Sequence, residues 1–137
     1  MNNINERTLS IIKPDAVERG IEESIKKIFL DKNLKIVEEK KIIISKTEAE
    51  EFYKVHQSKP FYNDLCNYLS SGPIIVMTLE GNDAVKLNRK LMGATNPKEA
   101  EKDTIRGLYG ISIDKNSVHG SDSSENAKIE IDFFFRD

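Results

Sequence analysis

One cysteine, no tryptophan and four prolines is little of each for a chain of 137 residues. With Cys66 alone no intramolecular disulfide can form, so burial has to hold the fold, as suits a reducing compartment. Leu65 and Leu69 beside it mark the thiol as a small core group. No apolar run approaches the roughly 20 residues that span a membrane, and Met1 to Arg7 is polar with mixed charge, unlike a signal peptide. A cytoplasmic protein without membrane association is expected. An excess of either charge is missing too: 21 Lys and Arg against 23 Asp and Glu leave −2, which gives no overall field for nucleic acid or an anionic surface. Any anion site must be built locally. Neither common glycine-rich phosphate loop is present, and two distant histidines with one cysteine make no structural zinc cluster. Repeats, low-complexity segments and linker-like boundaries are lacking, so 1–137 reads as one domain with a short frayed start.

What the chain does have is periodicity. Thr8 to Ile12 alternates as a strand does, and Pro14 stops it, leaving Lys13 at the strand end. Ile21 to Lys32 sets Ile21, Ile25, Ile28 and Phe29 at helical spacing, and Leu34 to Ile44, rich in isoleucine and lysine, predicts a strand. Ser45 and Glu48 have the spacing of a capping box ahead of a helix with Ala49, Phe52 and His56 on one face, beside Tyr53 and Val55. Pro60 can open another helix through Phe61, Leu65, Tyr68 and Leu69, closed by Ser70 to Pro73. The nearly continuous apolar run Ile74 to Leu79 suits a central strand covered on both sides. Asn82 or Asp83 is predicted to cap a helix ending near Met92, with Ala84, Leu87 and Leu91 buried, Lys86, Arg89 and Lys90 turned outward, and Gly93 as its stop. From Gly93 to Gly120 regular patterning fades, as in functional loops. Asp122 with Glu125 predicts a further helix start, and Phe133 to Phe135 a last strand. This order predicts a sheet with helices packed largely on one face, parallel or mixed.

His119 is the most informative side chain. It lies in Asn-Ser-Val-His-Gly-Ser-Asp, whose small polar residues leave an imidazole accessible, and Gly120 permits close approach by a ligand. One imidazole nitrogen can attack phosphorus if the other carries a proton held by an acceptor, and Glu130 is the candidate acceptor. Phosphoryl transfer needs cations around the moving charge, which singles out Lys13, Arg89 and Arg106 from a set that is mostly solvated surface. Thr95 and Asn116 could donate to a ligand, although turn or capping roles suit both equally.

Five collinear stretches carry a resemblance: Arg-Thr-Leu-Ser-Ile-Ile-Lys-Pro-Asp at the start, Ser-Gly-Pro-Ile, Gly-Ala-Thr-Asn-Pro, Thr-Ile-Arg-Gly and His-Gly-Ser-Asp-Ser. In order and spacing, from Glu6 to Arg136, the chain resembles the nucleoside diphosphate kinase family. The resemblance implies an α+β, ferredoxin-like sandwich with a four-stranded antiparallel sheet and helices packed across it. It implies ping-pong transfer of a γ-phosphate through phosphorylated His119, with Lys13, Glu130 and Ser121 as further catalytic residues. Lys13, Tyr53, Arg89, Thr95, Arg106 and Asn116 would hold phosphate and sugar, with Leu65, Val118 and Gly120 also in the nucleotide site and Phe61 stacked on the base. Mg²⁺ would bridge the nucleotide phosphates and be held largely by them, with no protein side chain singled out as its ligand. The implied partners are ATP and other nucleoside triphosphates and diphosphates, and further copies of the chain in a hexamer or tetramer that could pair along Leu34 to Ile44. Val55, Leu108 and Glu23 depart from the family's usual residues. An RNA-binding module is the main rival, and the net charge of −2 with no paired glycine-aromatic signature argues against it; a silent relative is the other, against which stand the intact candidate residues.

Overall fold

In this computed structural model the described residues are 5–111 and 116–135, apart from the Val55 side chain. Strand β1 (Asn5–Ile12) ends where Pro14 opens helix α1 (Pro14–Glu18), and α2 (Glu22–Asp31) leads to β2 (Lys35–Ile42). Helix α3 (Lys46–Phe52) starts on the expected capping box: the Ser45 hydroxyl accepts from the Glu48 N–H at 3.1 Å, and the Glu48 carboxylate accepts from the Ser45 N–H at 3.0 Å. A 3₁₀ turn over Lys54–His56 follows, then α4 (Tyr62–Leu69) and β3 (Ile74–Asn82).

Helix α5 (Ala84–Met92) is not capped by Asn82 or by the side chain of Asp83, which sits at the N-cap in a left-handed conformation, φ 51°. Glu6 from β1 does the capping instead, accepting from the Val85 N–H at 2.9 Å. The face of α5 that is buried is set by Ala84, Val85, Asn88 and Met92; Leu87 and Leu91 pack at its margin, and Arg89 lies outside.

The stretch read as loop holds a 3₁₀ turn at Pro97–Glu99, helix α6 (Ile105–Tyr109) and a short strand β4 (Val118–Gly120) that carries His119. Helix α7 (Ser124–Phe135) ends the described chain. Two expectations fail there. The Ser123 hydroxyl accepts the Asn126 N–H at 3.1 Å, while the Asp122 carboxylate accepts from the Asn126 side chain, so Ser123 caps the helix. Phe133 to Phe135 is the last turn of that helix and not a strand.

The four strands lie in the order β2-β3-β1-β4 with every neighbouring pair antiparallel. This is the ferredoxin-like arrangement. Alternation along β3 shows why its apolar run is continuous: Ile75, Met77 and Leu79 face one cluster, with Phe29 of α2 and Met92 of α5, while Ile74 and Val76 face the other, with Cys66 and Leu69 of α4 and Phe134 of α7. Helices therefore cover both faces, not largely one. Phe29, Leu9, Ile11, Ile25, Leu69 and Met77 are all fully buried, each contributing about 1.5–3 kcal/mol relative to exposure. Among the described residues no helix is long and apolar enough to cross a membrane.

Candidate active site

The site gathers where β1 ends beside β4. Ile12 pairs with Val118 and Ile11 with His119, so Lys13, one residue past the strand, enters the neighbourhood of the imidazole. Its backbone N–H donates to the Ser117 carbonyl at 2.8 Å and its ammonium to the Asn116 carbonyl oxygen Oδ1 at 2.9 Å. Asn116 in turn donates from Nδ2 to the Thr95 carbonyl at 3.1 Å. The loop after α5 and the approach to β4 are thereby tied to the Lys13 ammonium.

Arg106 arrives by a different route. Thr104 caps α6, its hydroxyl accepting from the Gly107 N–H at 3.1 Å, and Ile105 anchors the helix in the core. A Cβ at Gly107 would stand 2.0 Å from the Glu101 carbonyl oxygen, so glycine is required at that close approach. Held this way, the guanidinium of Arg106 donates from Nη1 to the Gly93 carbonyl at 3.0 Å and from Nη2 to the Val118 carbonyl at 2.9 Å, and its Nε has no partner among the described residues. Burial, then the charge of Arg89, brings its pKa down from the ordinary arginine value to about 10, so the group is still a cation at neutral pH.

His119 Nε2 lies 3.1 Å from Glu130 Oε1, and the Ser121 hydroxyl donates to the same oxygen at 2.9 Å. Ser121 also accepts from the Leu9 N–H at 3.3 Å, so its hydrogen is committed to Glu130. A carboxylate only accepts, so the imidazole proton belongs on Nε2 and the free lone pair on Nδ1. Phe52 meets the ring edge-on with centroids 5.3 Å apart, and Tyr53 at 6.4 Å. Burial raises the Tyr53 phenol above its ordinary value, with smaller contributions from Cys66 and Glu130.

These groups line a cavity of about 570 Å³. Of the residues singled out from sequence, Lys13, Tyr53, Phe61, Leu65, Arg89, Thr95, Arg106, Asn116, His119 and Gly120 face it. Phe61 is 44 % exposed, so it stands on the rim and not in the core. Val118 does not line the cavity; its side chain is fully buried and its carbonyl serves Arg106. Ser121 and Glu130 stand behind the imidazole. His56, Met92 and Asp122 also line the space and were not singled out. His56 bridges Tyr53 and Phe61, with centroids 6.1 and 6.2 Å away, a continuation of the Ala49, Phe52, His56 face that its sequence spacing could have suggested.

The family model for nucleoside diphosphate kinase matches residues 6–137. The chain belongs to the nucleoside diphosphate kinase family. A nucleoside diphosphate kinase of Campylobacter jejuni is 57% identical over 131 residues, 96% of each chain, and one of Persephonella marina is 52% identical over 130 residues, 95% of this chain and 93% of that protein. The solved nucleoside diphosphate kinase of Aquifex aeolicus superposes with a TM-score of 0.95 at 40% identity, covering 96% of both chains. That of Encephalitozoon cuniculi gives 0.93 at 41%, covering 96% of this chain and 90% of the other. The activity is that of the family, transfer of a γ-phosphate from a nucleoside triphosphate to a nucleoside diphosphate by a ping-pong route through phosphohistidine.

Kinases of this kind work with a divalent cation. Among the described residues no group of three or more His, Cys, Asp and Glu side chains is placed to hold one, and the cavity sets the single carboxylate of Asp122 against Lys13, Arg89 and Arg106. Such a lining suits an ion that arrives on phosphates, which already supply hard oxygen ligands.

Proposed function

We propose that His119 is the nucleophile of this kinase and that the cavity around it is the single nucleotide site used by both half-reactions. The observation that carries this reading is the shared oxygen of Glu130, which takes hydrogen bonds from both His119 Nε2 and Ser121. With the proton held there, Nδ1 attacks the γ-phosphorus; the bond from phosphorus to the bridging oxygen breaks, and the nucleoside diphosphate leaves with the electron pair. An acceptor diphosphate then enters, its terminal oxygen attacks the same phosphorus, and the P–N bond returns its electrons to Nδ1.

Lys13, Arg89 and Arg106 serve as the cationic cradle, with Asn116, Thr95 and Tyr53 as hydrogen-bonding groups at phosphate and sugar. The two carbonyls that fix Arg106 hold it in place before substrate arrives, so little reorganisation accompanies binding. Phe61, exposed on the rim with Leu65 below, stacks on the base; stacking tolerates purines and pyrimidines alike. Gly120 gives the ligand access beside the nucleophile, and Val118 contributes through its backbone. Mg²⁺ enters as the nucleotide complex and belongs to the substrate. The protein works as one domain over 1–137 in the cytoplasm, as a hexamer or tetramer, with subunits pairing along the exposed edge of β2.

Intact-protein mass spectrometry tests the reading. Incubation with ATP and Mg²⁺ should add one acid-labile phosphoryl group, and GDP should remove it with formation of GTP. His119→Ala should fold and form neither adduct nor GTP; a variant that still turns over would sink the covalent route. Phe61→Ala should weaken binding of all bases by a similar factor, whereas a loss confined to one base would show that Phe61 reads identity.

A further inference from the structure

Asp15 closes the first motif, yet it has no part in the site described so far. Its residue is 6 % exposed, and the hydrogen-bond partners of its carboxylate are hydroxyls. Oδ1 accepts from the Tyr68 hydroxyl, Oδ2 accepts from the Ser117 hydroxyl at 3.3 Å, and the Asp15 N–H donates to the Tyr68 oxygen at 2.9 Å. A carboxylate taken from water is costly unless its oxygens are engaged, and here both are.

Neither partner lines the cavity, but each adjoins residues that do. Tyr68 lies on α4, three residues and so about one turn after Leu65, which faces the cavity. Ser117 stands between Asn116 and β4, two residues before His119, with a left-handed φ of 75° that favours other residue types. Lys13 already holds the Ser117 carbonyl through its backbone N–H. Lys13 and Asp15 therefore grip the same residue from its backbone and its side chain, and Pro14 between them has a fixed φ.

We propose that Asp15 is a positioning residue for phosphoryl transfer: by engaging Ser117 and Tyr68 together, it keeps the Lys13–Asn116 pair, the strand of His119 and the α4 wall in one fixed relation. The inference rests on the roles given above to Lys13 and His119. A carboxylate suits the task because it only accepts, obliging both hydroxyls to donate and so fixing their rotors. Burial and the Asp15 charge keep the Tyr68 phenol protonated, so it stays a donor. An amide at position 15 would turn an NH₂ toward one of the two hydroxyls, which would then accept instead of donate, and its rotor would no longer be fixed.

Tyr68→Phe and Ser117→Ala each delete a single hydroxyl, and Asp15→Ala removes the acceptor of both. The full-length variants are assayed with ATP and GDP at saturation and below it, alongside thermal melts and the mass of the phosphorylated protein. Misplacing cations that act on charge developed in the transition state lowers kcat more than it changes KM, so each hydroxyl deletion should lower kcat about tenfold while KM moves by less than about twofold. Tyr68→Phe should cost less in the Asp15→Ala background than in the wild type, since the hydroxyl then serves only the backbone N–H of residue 15. Variants with a lower Tm but unchanged kcat well below melting would reduce Asp15 to a brace of the fold. The wild-type control separates the two readings: a missing adduct there overturns the site roles themselves, whereas a normal adduct with unchanged kcat in all three variants overturns only the part given to Asp15.

Discussion

With His119 as the proposed nucleophile, the chemistry turns on which nitrogen keeps the proton. Glu130→Gln replaces an oxygen that can only accept by an amide that can turn either end toward the ring, so the tautomer with the proton on Nδ1 becomes accessible. Its kcat should fall by about 10–100-fold, the usual cost of losing the partner that orients an imidazole, while the melting temperature changes little. Wild-type activity in the Glu130→Gln variant would mean that Ser121 and the ring contacts with Phe52 suffice. A second residue-scale expectation concerns pH. Because burial has lowered the Arg106 pKa to about 10, its charge is lost as pH rises through that value, earlier than in a free side chain; the raised phenol of Tyr53 stays neutral over the same range. KM for nucleotides should accordingly be insensitive to Arg106 from about pH 7 to pH 9 and rise only beyond, which initial rates across that range check. The pairing of His119 with Glu130 was legible because the two lie on adjoining elements. Met92 at the end of α5 and Asp122 in the turn after β4 come to the cavity from distant parts of the chain, and no local pattern brings them together with His56.

Among the elements, the capping box at α3 and the central strand β3 were readable because their signals are local: one is a three-residue spacing, the other a run buried on both faces. Phe133 to Phe135 misled for a physical reason. Three consecutive aromatics have β propensity, yet Phe133 and Phe134 sit on a helix that wedges against Phe52, with centroids 5.7 and 5.2 Å away, and Lys40 donates to the Phe134 carbonyl at 2.7 Å with its ammonium over the Phe135 ring. Tertiary packing overrode propensity. The strand of His119 escaped notice since β4 is only three residues long, too short for alternation to register. Packing of α5 on that strand makes a sharp prediction, because a Cβ on Gly120 would stand 2.3 Å from Asn88 Nδ2 and 2.8 Å from Met92 Sδ. Gly120→Ala should destabilise by about 1–3 kcal/mol through overpacking. In an Asn88→Ala background the penalty should shrink, since the buried amide it strikes, whose Nδ2 and Oδ1 both lack partners among the described residues, is gone; equal penalties in the two backgrounds, measured by urea unfolding, would locate the strain elsewhere.

For the whole molecule, the antiparallel pairing of four strands was beyond what periodicity alone decides; the resemblance supplied it, and the sheet agrees. Helices on both faces were missed, because amphipathic spacing says that a helix buries a face but not against which side of a sheet. Assembly is the property to measure at this scale. With β2 at the edge of the sheet and Ile43 69 % exposed just beyond it, sedimentation should report four or six copies of the 15.6 kDa chain. Replacing Lys41 by proline should shift the distribution toward smaller species if the free edge of β2 is a contact; an unchanged hexamer or tetramer would place the contacts on other surfaces.

The contacts that build the catalytic centre span most of the chain, 103 positions between Lys13 and Asn116 and 112 between Leu9 and Ser121. A polypeptide emerging from the ribosome can complete the residues of β1, β2 and β3 while Lys13 still has no asparagine to meet. The polar contacts around His119 therefore form only after Asn116 and Ser121 have been made, long after the first strand.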